Sequence, residues 1–240
     1  MLLLNQLSIK RLVFTMTIDT FIAPPCHEKI QILHEDAHLL LINKPSGLLS
    51  LSGKNPLNRD SVYERLLKGY PHAKMIHRLD FGTSGIMVVA LSKRVNAHLT
   101  KQFQLRTVVK NYTATLYGHL VNDEGVIDAP IARDEFPYQK ICSMTGKPAQ
   151  SHYRVLERNQ DKDTEIKTSD VLFTPKTGRT HQLRVHSQSI GHPIIGCDLY
   201  NKVINGVDTQ TLSPRLCLHA SKLQFVHPIS NEVMNIECSR

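Results

Sequence analysis

Six consecutive apolar residues, Ile86-Met87-Val88-Val89-Ala90-Leu91, directly follow a polar, glycine-bearing stretch over residues 77–85, and no other junction constrains the fold as strongly. The run has the length of a buried strand, and the polar stretch reads as a loop feeding it. Ser92 then stands where it can cap a helix to about Arg106, with Val95, Leu99 and Phe103 on one face at spacings of four. Upstream, residues 30–43 read as two short strands around a polar turn, broken by Lys44-Pro45-Ser46-Gly47. Residues 50–59 carry little apolar content and read as an exposed loop. Asp60 or Ser61 caps a short helix through Leu67, which Gly69 and Pro71 end.

Further along, Val109–Tyr117, residues 151–156, 171–173 and 215–226 have strand character, while 180–190 reads as a helix stopped by Gly191-His192-Pro193. Residues 159–169 look like a polar, insertion-like loop. Strands dominate without a regular βαβ alternation, which predicts an α+β fold with a mixed, mainly antiparallel sheet. The 240 residues, 41% of them hydrophobic, suffice for one sizeable core.

Charge narrows the partner class. Lys and Arg number 29 against 21 acidic residues, a formal net charge of +8, which favours a polyanion and nucleic acid first. Lys93, Arg94, Lys101 and Arg106 on the outer helix face fit either a solvated surface or an RNA-backbone contact. The five cysteines form no C-x-x-C pair, so neither a disulfide framework nor a zinc knuckle is indicated, and a reducing cytoplasm fits. No apolar run approaches the ~20 residues of a membrane span. Residues 1–29 are expected to form a poorly ordered N-terminal tail, with Met16 an alternative start to Met1, and residues 30–240 the one folded domain.

Three polar clusters abut strand or helix ends, where a rigid scaffold can aim side chains: residues 77–85, Lys110-Asn111-Tyr112, and residues 177–184. Asp80 can act as nucleophile or general base, or simply form a turn. On the helix expected from Thr180, His181, Arg184 and Gln188 share a face, either turned to an anionic or carboxylate partner or forming an exposed polar stripe. His181 and His186, five apart, lack the spacing of a helical metal site. A thiol nucleophile at Cys197 with His192 rests on proximity alone. Neither G-x-x-x-x-G-K-[ST] nor G-x-G-x-x-G occurs, which argues against nucleotide cofactors.

Taken together, His77-Arg78-Leu79-Asp80-Phe81-Gly82-Thr83-Ser84-Gly85 resembles the H-R-L-D-x-x-T-S-G signature of the RluA-type pseudouridine synthases. The resemblance extends to Ile42-Asn43-Lys44-Pro45-Ser46-Gly47, to Lys110-Asn111-Tyr112 as K-x-Y, and to Thr177-Gly178-Arg179-Thr180-His181-Gln182-Leu183-Arg184-Val185-His186 as T-G-R-x-H-Q-[IL]-R-x-H. These motifs, in family order, cover about residues 30–225.

The resemblance implies a catalytic cleft in which Asp80 is the essential carboxylate, Arg184 its ion-pair partner and Tyr112 the ring against the target base. It puts Arg78 on the RNA, holding it with the base turned out, together with His77, Lys110 and Arg179. Leu183 and Ile86 become apolar wall. It implies uridine-to-pseudouridine isomerisation without cofactor or metal and RNA as the partner; the stretch before Ile30 is short for an S4-type RNA-binding module, and a monomer is the default expectation for a compact enzyme acting on a large RNA. The likeness is nearest to compact dual-specificity members acting on 23S rRNA and the tRNA anticodon stem-loop. A non-catalytic RNA-binding module on the same domain would be marked by loss of the aspartate or arginine, and both are present.

Overall fold

The structure is a computed structural model that describes residues 21–239. The expected start at Met16 and most of the expected tail lie outside the described residues. Residues 21–29, also expected in that tail, lack regular secondary structure but are tied down. The Asn58 side chain donates to the Phe21 carbonyl (2.7 Å) and accepts from the Ala23 amide (2.8 Å), and Arg65 bonds the Cys26 and Glu28 carbonyls.

In chain order the elements are β1 (Gln31–Glu35), β2 (Leu39–Lys44), α1 (Val62–Leu67), β3 (Lys74–Met75), β4 (Ser84–Ala90), α2 (Lys93–Gln104), β5 (Val109–Tyr117) and β6 (Glu124–Asp128). There follow β7 (Ile131–Arg133), β8 (Gln139–Ile141), β9 (Gln150–Gln160), β10 (Lys167–Pro175), α3 (Gln182–Ser189), β11 (Val203–Ile204), β12 (Val207–Asp208), β13 (Leu218–Val226) and β14 (Val233–Glu237). One ten-stranded sheet runs β1-β2-β4-β13-β5-β10-β9-β6, with β3 on β4 and β14 on β13. Every pairing in it is antiparallel except β4 with β13. The fold is the mixed, mainly antiparallel α+β architecture expected.

The apolar run becomes β4 because both of its faces are covered. Ile86, Val88 and Ala90 pack with Leu39, Leu41 and the Val95–Leu99 stripe of α2, whereas Met87 and Val89 pack with Leu40, Ile42 and the α1 residues Val62 and Leu66. Ser61 and Ser92 cap α1 and α2 through their side-chain oxygens. Beyond β13, a second core of Ala114, Leu116, Val171 and Phe173 is closed by Leu183 and Val185 of α3.

Gly85 sits at the seam between these two halves. Its φ is +115°, and a Cβ there would lie 2.4 Å from the Ala220 carbonyl oxygen and 2.5 Å from the Ala220 nitrogen. Only glycine lets β4 approach β13 so closely.

Some expectations need correction. Strands β9 and β10 extend well past the predicted 151–156 and 171–173, and the supposed loop at 159–169 is mostly the tip of their hairpin, with Asn159 paired to Thr168 and Arg158 to Ser169. Only residues 161–166 leave the ladder, where Asp161 accepts from the Asp163 and Thr164 amides. Polarity on both faces of the hairpin's outer end gives no apolar alternation to read. The helix expected from Thr180 begins at Gln182, because His181 takes a left-handed φ of +55°.

Candidate active site

A cleft opens where the Asp80 loop of one half faces the start of α3 in the other, and is lined by Arg78, Leu79, Asp80, Thr83, Lys110, Tyr112 and residues 177–179 and 181–184, among others. Tyr112 forms its floor on β5, packed against the cores of both halves.

The Asp80 loop is held almost entirely through its backbone. The Ser50 hydroxyl donates to the Leu79 carbonyl (2.7 Å) and accepts from the Leu79 amide (3.1 Å). Ser46 Oγ donates to the Gly82 carbonyl (2.7 Å), and the Gly47 amide to the Phe81 carbonyl (3.0 Å). Lys44, fully buried, donates from Nζ to the carbonyls of Phe81 (3.1 Å) and Pro45 (2.9 Å). Burial pulls its ammonium down to about 7, against the opposing pull of Cys26 and Asp80. The Lys44-Pro45-Ser46-Gly47 segment is therefore the cradle of the Asp80 loop, a role its sequence did not disclose.

Helix α3 is positioned differently, by side chains. Gln182 accepts at Oε1 from Thr177 Oγ1 (2.7 Å) and the Arg179 amide (3.0 Å), and donates through Nε2 to the Gln150 carbonyl (3.0 Å) and Ser151 Oγ (2.9 Å). His186 bonds Ser151 Oγ through Nδ1 (2.9 Å) and the Ala129 carbonyl through Nε2 (2.9 Å). Burial holds this imidazole below its ordinary value, the Ala129 bond and Asp128 opposing. One sequence motif thus combines residues whose polar atoms are spent on anchorage (Thr177, Gln182, His186) with cleft-lining groups that take no part in it (His181, Leu183, Arg184).

Across the cleft Arg184 Nη1 lies 3.9 Å from Asp80 Oδ2, the two side chains 4% and 28% exposed. A guanidinium this buried is no surface stripe. It also bonds Asp198 through Nη2, donates from Nε to Cys197 Sγ (3.3 Å), and sits 5.2 Å over the Tyr200 ring. Burial opposes its charge, but the Cys197 sulfur and the Asp80 and Asp198 carboxylates outweigh it and raise its pKa. Asp198 and Tyr200 escaped sequence reasoning: they follow a chain reversal at Gly196 (φ +71°) and carry no periodic pattern.

Burial, then Asp80, holds the Tyr112 hydroxyl above its ordinary range, keeping it neutral. Lys110 lines the same wall, its ammonium pulled down by burial and then by Arg106. Arg78 is exposed at the cleft, and Arg179 is half-buried with Nε on the Pro148 carbonyl (3.1 Å).

Two expectations are overturned by this geometry, and one minor alternative falls with them. His77, expected on RNA, turns inward: its Nε2 accepts the Val88 amide (3.1 Å) and its ring stacks on Phe103, centroids 4.7 Å apart. Burial, then Lys110, pulls it to about 3, so it is a neutral strut beneath the loop. Ile86, expected as cleft wall, belongs to the core under α2, because side chains alternate along β4; Leu183 does line the cleft. Cys197 and His192 do not form a thiol pair, since Cys197 is buried against Arg184 and His192 Nδ1 is engaged by the Tyr117 carbonyl (2.8 Å).

A carboxylate facing a fixed guanidinium beside a neutral phenol, with cations at the rim, suits an anionic polymer presenting one planar ring. The comparisons with known proteins agree. Residues 38–189 match the family model described as RNA pseudouridylate synthase. The chain is 44% identical over 209 residues to the dual-specificity RNA pseudouridine synthase RluA of Yersinia pestis, covering 86% of this chain and 97% of that protein. Identity to the protein of the same name from Escherichia coli K12 is 42% over 216 residues, 89% of this chain and 94% of the other. Among solved structures, human RNA pseudouridylate synthase domain containing 1 superposes with a TM-score of 0.73 at 29% identity, covering 90% of this chain and 86% of that one. Human RNA pseudouridylate synthase domain containing 4 gives 0.67 at 27% identity over 87% and 88%. The chain belongs to the RNA pseudouridylate synthase family and is an isomerase that converts uridine to pseudouridine in RNA.

Proposed function

We propose that its target uridines lie in structured RNA, in 23S rRNA, the tRNA anticodon stem-loop or both, and that Asp80 is the essential carboxylate. The observation that carries this reading is the Asp80 carboxylate in the cleft, 3.9 Å from a guanidinium that is itself fixed on its other edge. The dual-specificity names of the relatives support more than one class of RNA target.

The reaction is an internal rearrangement. The bond from uracil N1 to the sugar C1′ breaks, the base turns while held, a bond forms from C5 to the same carbon, and the C5 hydrogen leaves as a proton while N1 regains one. Nothing is oxidised or reduced, and no cofactor is required by the balance. Asp80 serves it by one of two routes, attack on the sugar carbon or removal of a sugar proton to give a glycal, and both need an ionised carboxylate. Arg184 supplies the opposing charge. Tyr112 gives the turning base a flat apolar surface, and enclosure keeps the detached uracil from escaping.

Extruding a base from a folded loop costs a few kcal/mol. Arg78 at the mouth, with Arg179 and Lys110, offsets that cost through phosphate contacts and holds the base turned out. The enzyme acts in the cytoplasm as a monomer, residues 30–240 forming its catalytic domain.

The test is release of tritium from RNA carrying 5-tritiated uridine, with the wild type and Asp80→Asn. We expect release by the wild type and at least about 10⁴-fold less by the variant, with folding and RNA affinity retained. Turnover by Asp80→Asn would remove this carboxylate from the mechanism. Equal activity on rRNA and tRNA transcripts lacking either target would remove the substrate assignment.

A further inference from the structure

The His181 side chain does nothing to cap the helix it precedes. It occupies the N-cap of α3, where Ser, Thr, Asp or Asn would satisfy an orphan amide, yet its side chain makes no capping bond and its φ is +55°. Strained backbone of this kind persists where the surroundings over-determine it and concentrates at functional sites.

The surroundings here are specific. His181 Nδ1 lies 2.8 Å from Tyr200 Oη, with the rings edge-on at 5.5 Å and 72°. The same oxygen accepts the Gln139 amide hydrogen at 2.8 Å. An amide can only donate, so the phenol accepts there, and among the described residues the one acceptor within reach of its own hydrogen is Nδ1. Burial, foremost, and Arg184 hold the imidazole below its ordinary value despite Asp80 and Asp198, which keeps the ring neutral near pH 7. With Nδ1 accepting, the ring hydrogen resides on Nε2. Among the described residues no hydrogen bond engages Nε2, and His181 lines the cleft beside Asp80, Tyr112 and Arg184.

Resting on the isomerase reading above, we propose that His181 Nε2–H donates to a carbonyl oxygen of the uracil, with Tyr200 as the positioning residue that fixes its tautomer. Uracil offers two carbonyl acceptors, O2 and O4. A neutral, rigid donor steadies the detached ring while it turns, without the proton loss that an imidazolium would risk beside an ionised aspartate.

The experiment is a single-turnover comparison on RNA bearing uridine, 2-thiouridine or 4-thiouridine at the target position. Sulfur is the weaker acceptor, so one of the two replacements is expected to slow the wild type by about tenfold. His181→Gly tolerates the positive φ and removes the donor. It is expected to be about tenfold slower on uridine and indifferent to that sulfur, the mark of a shared interaction. Tyr200→Phe leaves the imidazole but frees its tautomer, and is expected to weaken the sulfur effect to about threefold, which keeps the idea testable should the glycine variant fail to fold. Sulfur slowing His181→Gly as much as the wild type, or full sulfur sensitivity in Tyr200→Phe, would overturn the inference alone. No product from uridine with the wild type would overturn the isomerase reading and the inference with it.

Discussion

The two walls of the cleft are built by opposite means. The Asp80 wall is a loop whose carbonyls and amides are gripped by Ser46, Ser50, Lys44 and Gly47, so its shape is fixed through backbone. The α3 wall is a helix whose backbone bonds are internal, so it must be docked through side chains, and Gln182 and His186 reach β9 and the Ala129 carbonyl. A loop has free backbone groups to be held by, and a helix has none except at its ends. The contrast teaches that the loop's geometry is insensitive to most of its own side chains, leaving Asp80 free to serve the cleft, whereas α3 devotes half of its motif to anchorage.

The most damaging change should be Gly85→Ala. The added Cβ meets Ala220 backbone on both sides and the φ of +115° is closed to alanine. We expect a loss of about 4 kcal/mol or more in chemical denaturation, or failure to fold. A stable Gly85→Ala protein would mean that the seam is not a fixed contact.

Next comes Gln182→Leu, which takes their acceptor from the Thr177 hydroxyl and the Arg179 amide and a donor from Ser151, which keeps His186. It should cost about 2–3 kcal/mol and lower the melting temperature by roughly 4–12 °C. The backbone-held wall should be less sensitive to a single side chain. Ser50→Ala removes two bonds to Leu79 while Ser46, Lys44 and Gly47 remain, and should cost about 1–2 kcal/mol. A reversed order of these two losses would break the comparison.

The effect that is smallest at neutral pH is a pH dependence, which emerges only on acidification. His77 is held near 3 in the folded protein against about 6.5 when unfolded. Its contribution is therefore present in full above pH 6.5 and is lost as the pH falls from there toward 3. His77→Gln, which keeps an acceptor for the Val88 amide, should flatten the stability profile across that window. An unchanged acid slope would show that His77 is not the group responsible.

The sequence alone determined much of this molecule. The apolar run of β4, the cap at Ser92 and the α+β class follow from local chemistry, while the cleft-lining identity of Asp80, Tyr112 and Arg184 came from the resemblance of contiguous motifs to a known family, which a linear reading captures. Only the tertiary structure decided which motif residues face the cleft. Side-chain direction separates Arg184 from Gln182 on one helix, turns His77 inward two residues after Met75, and hides Ile86 behind β4. It also brought Asp198 and Tyr200 to Arg184 across a chain reversal. Such contacts depend on where separate segments end up in space, and charge pairing or stacking at a distance along the chain leaves no period or spacing to read.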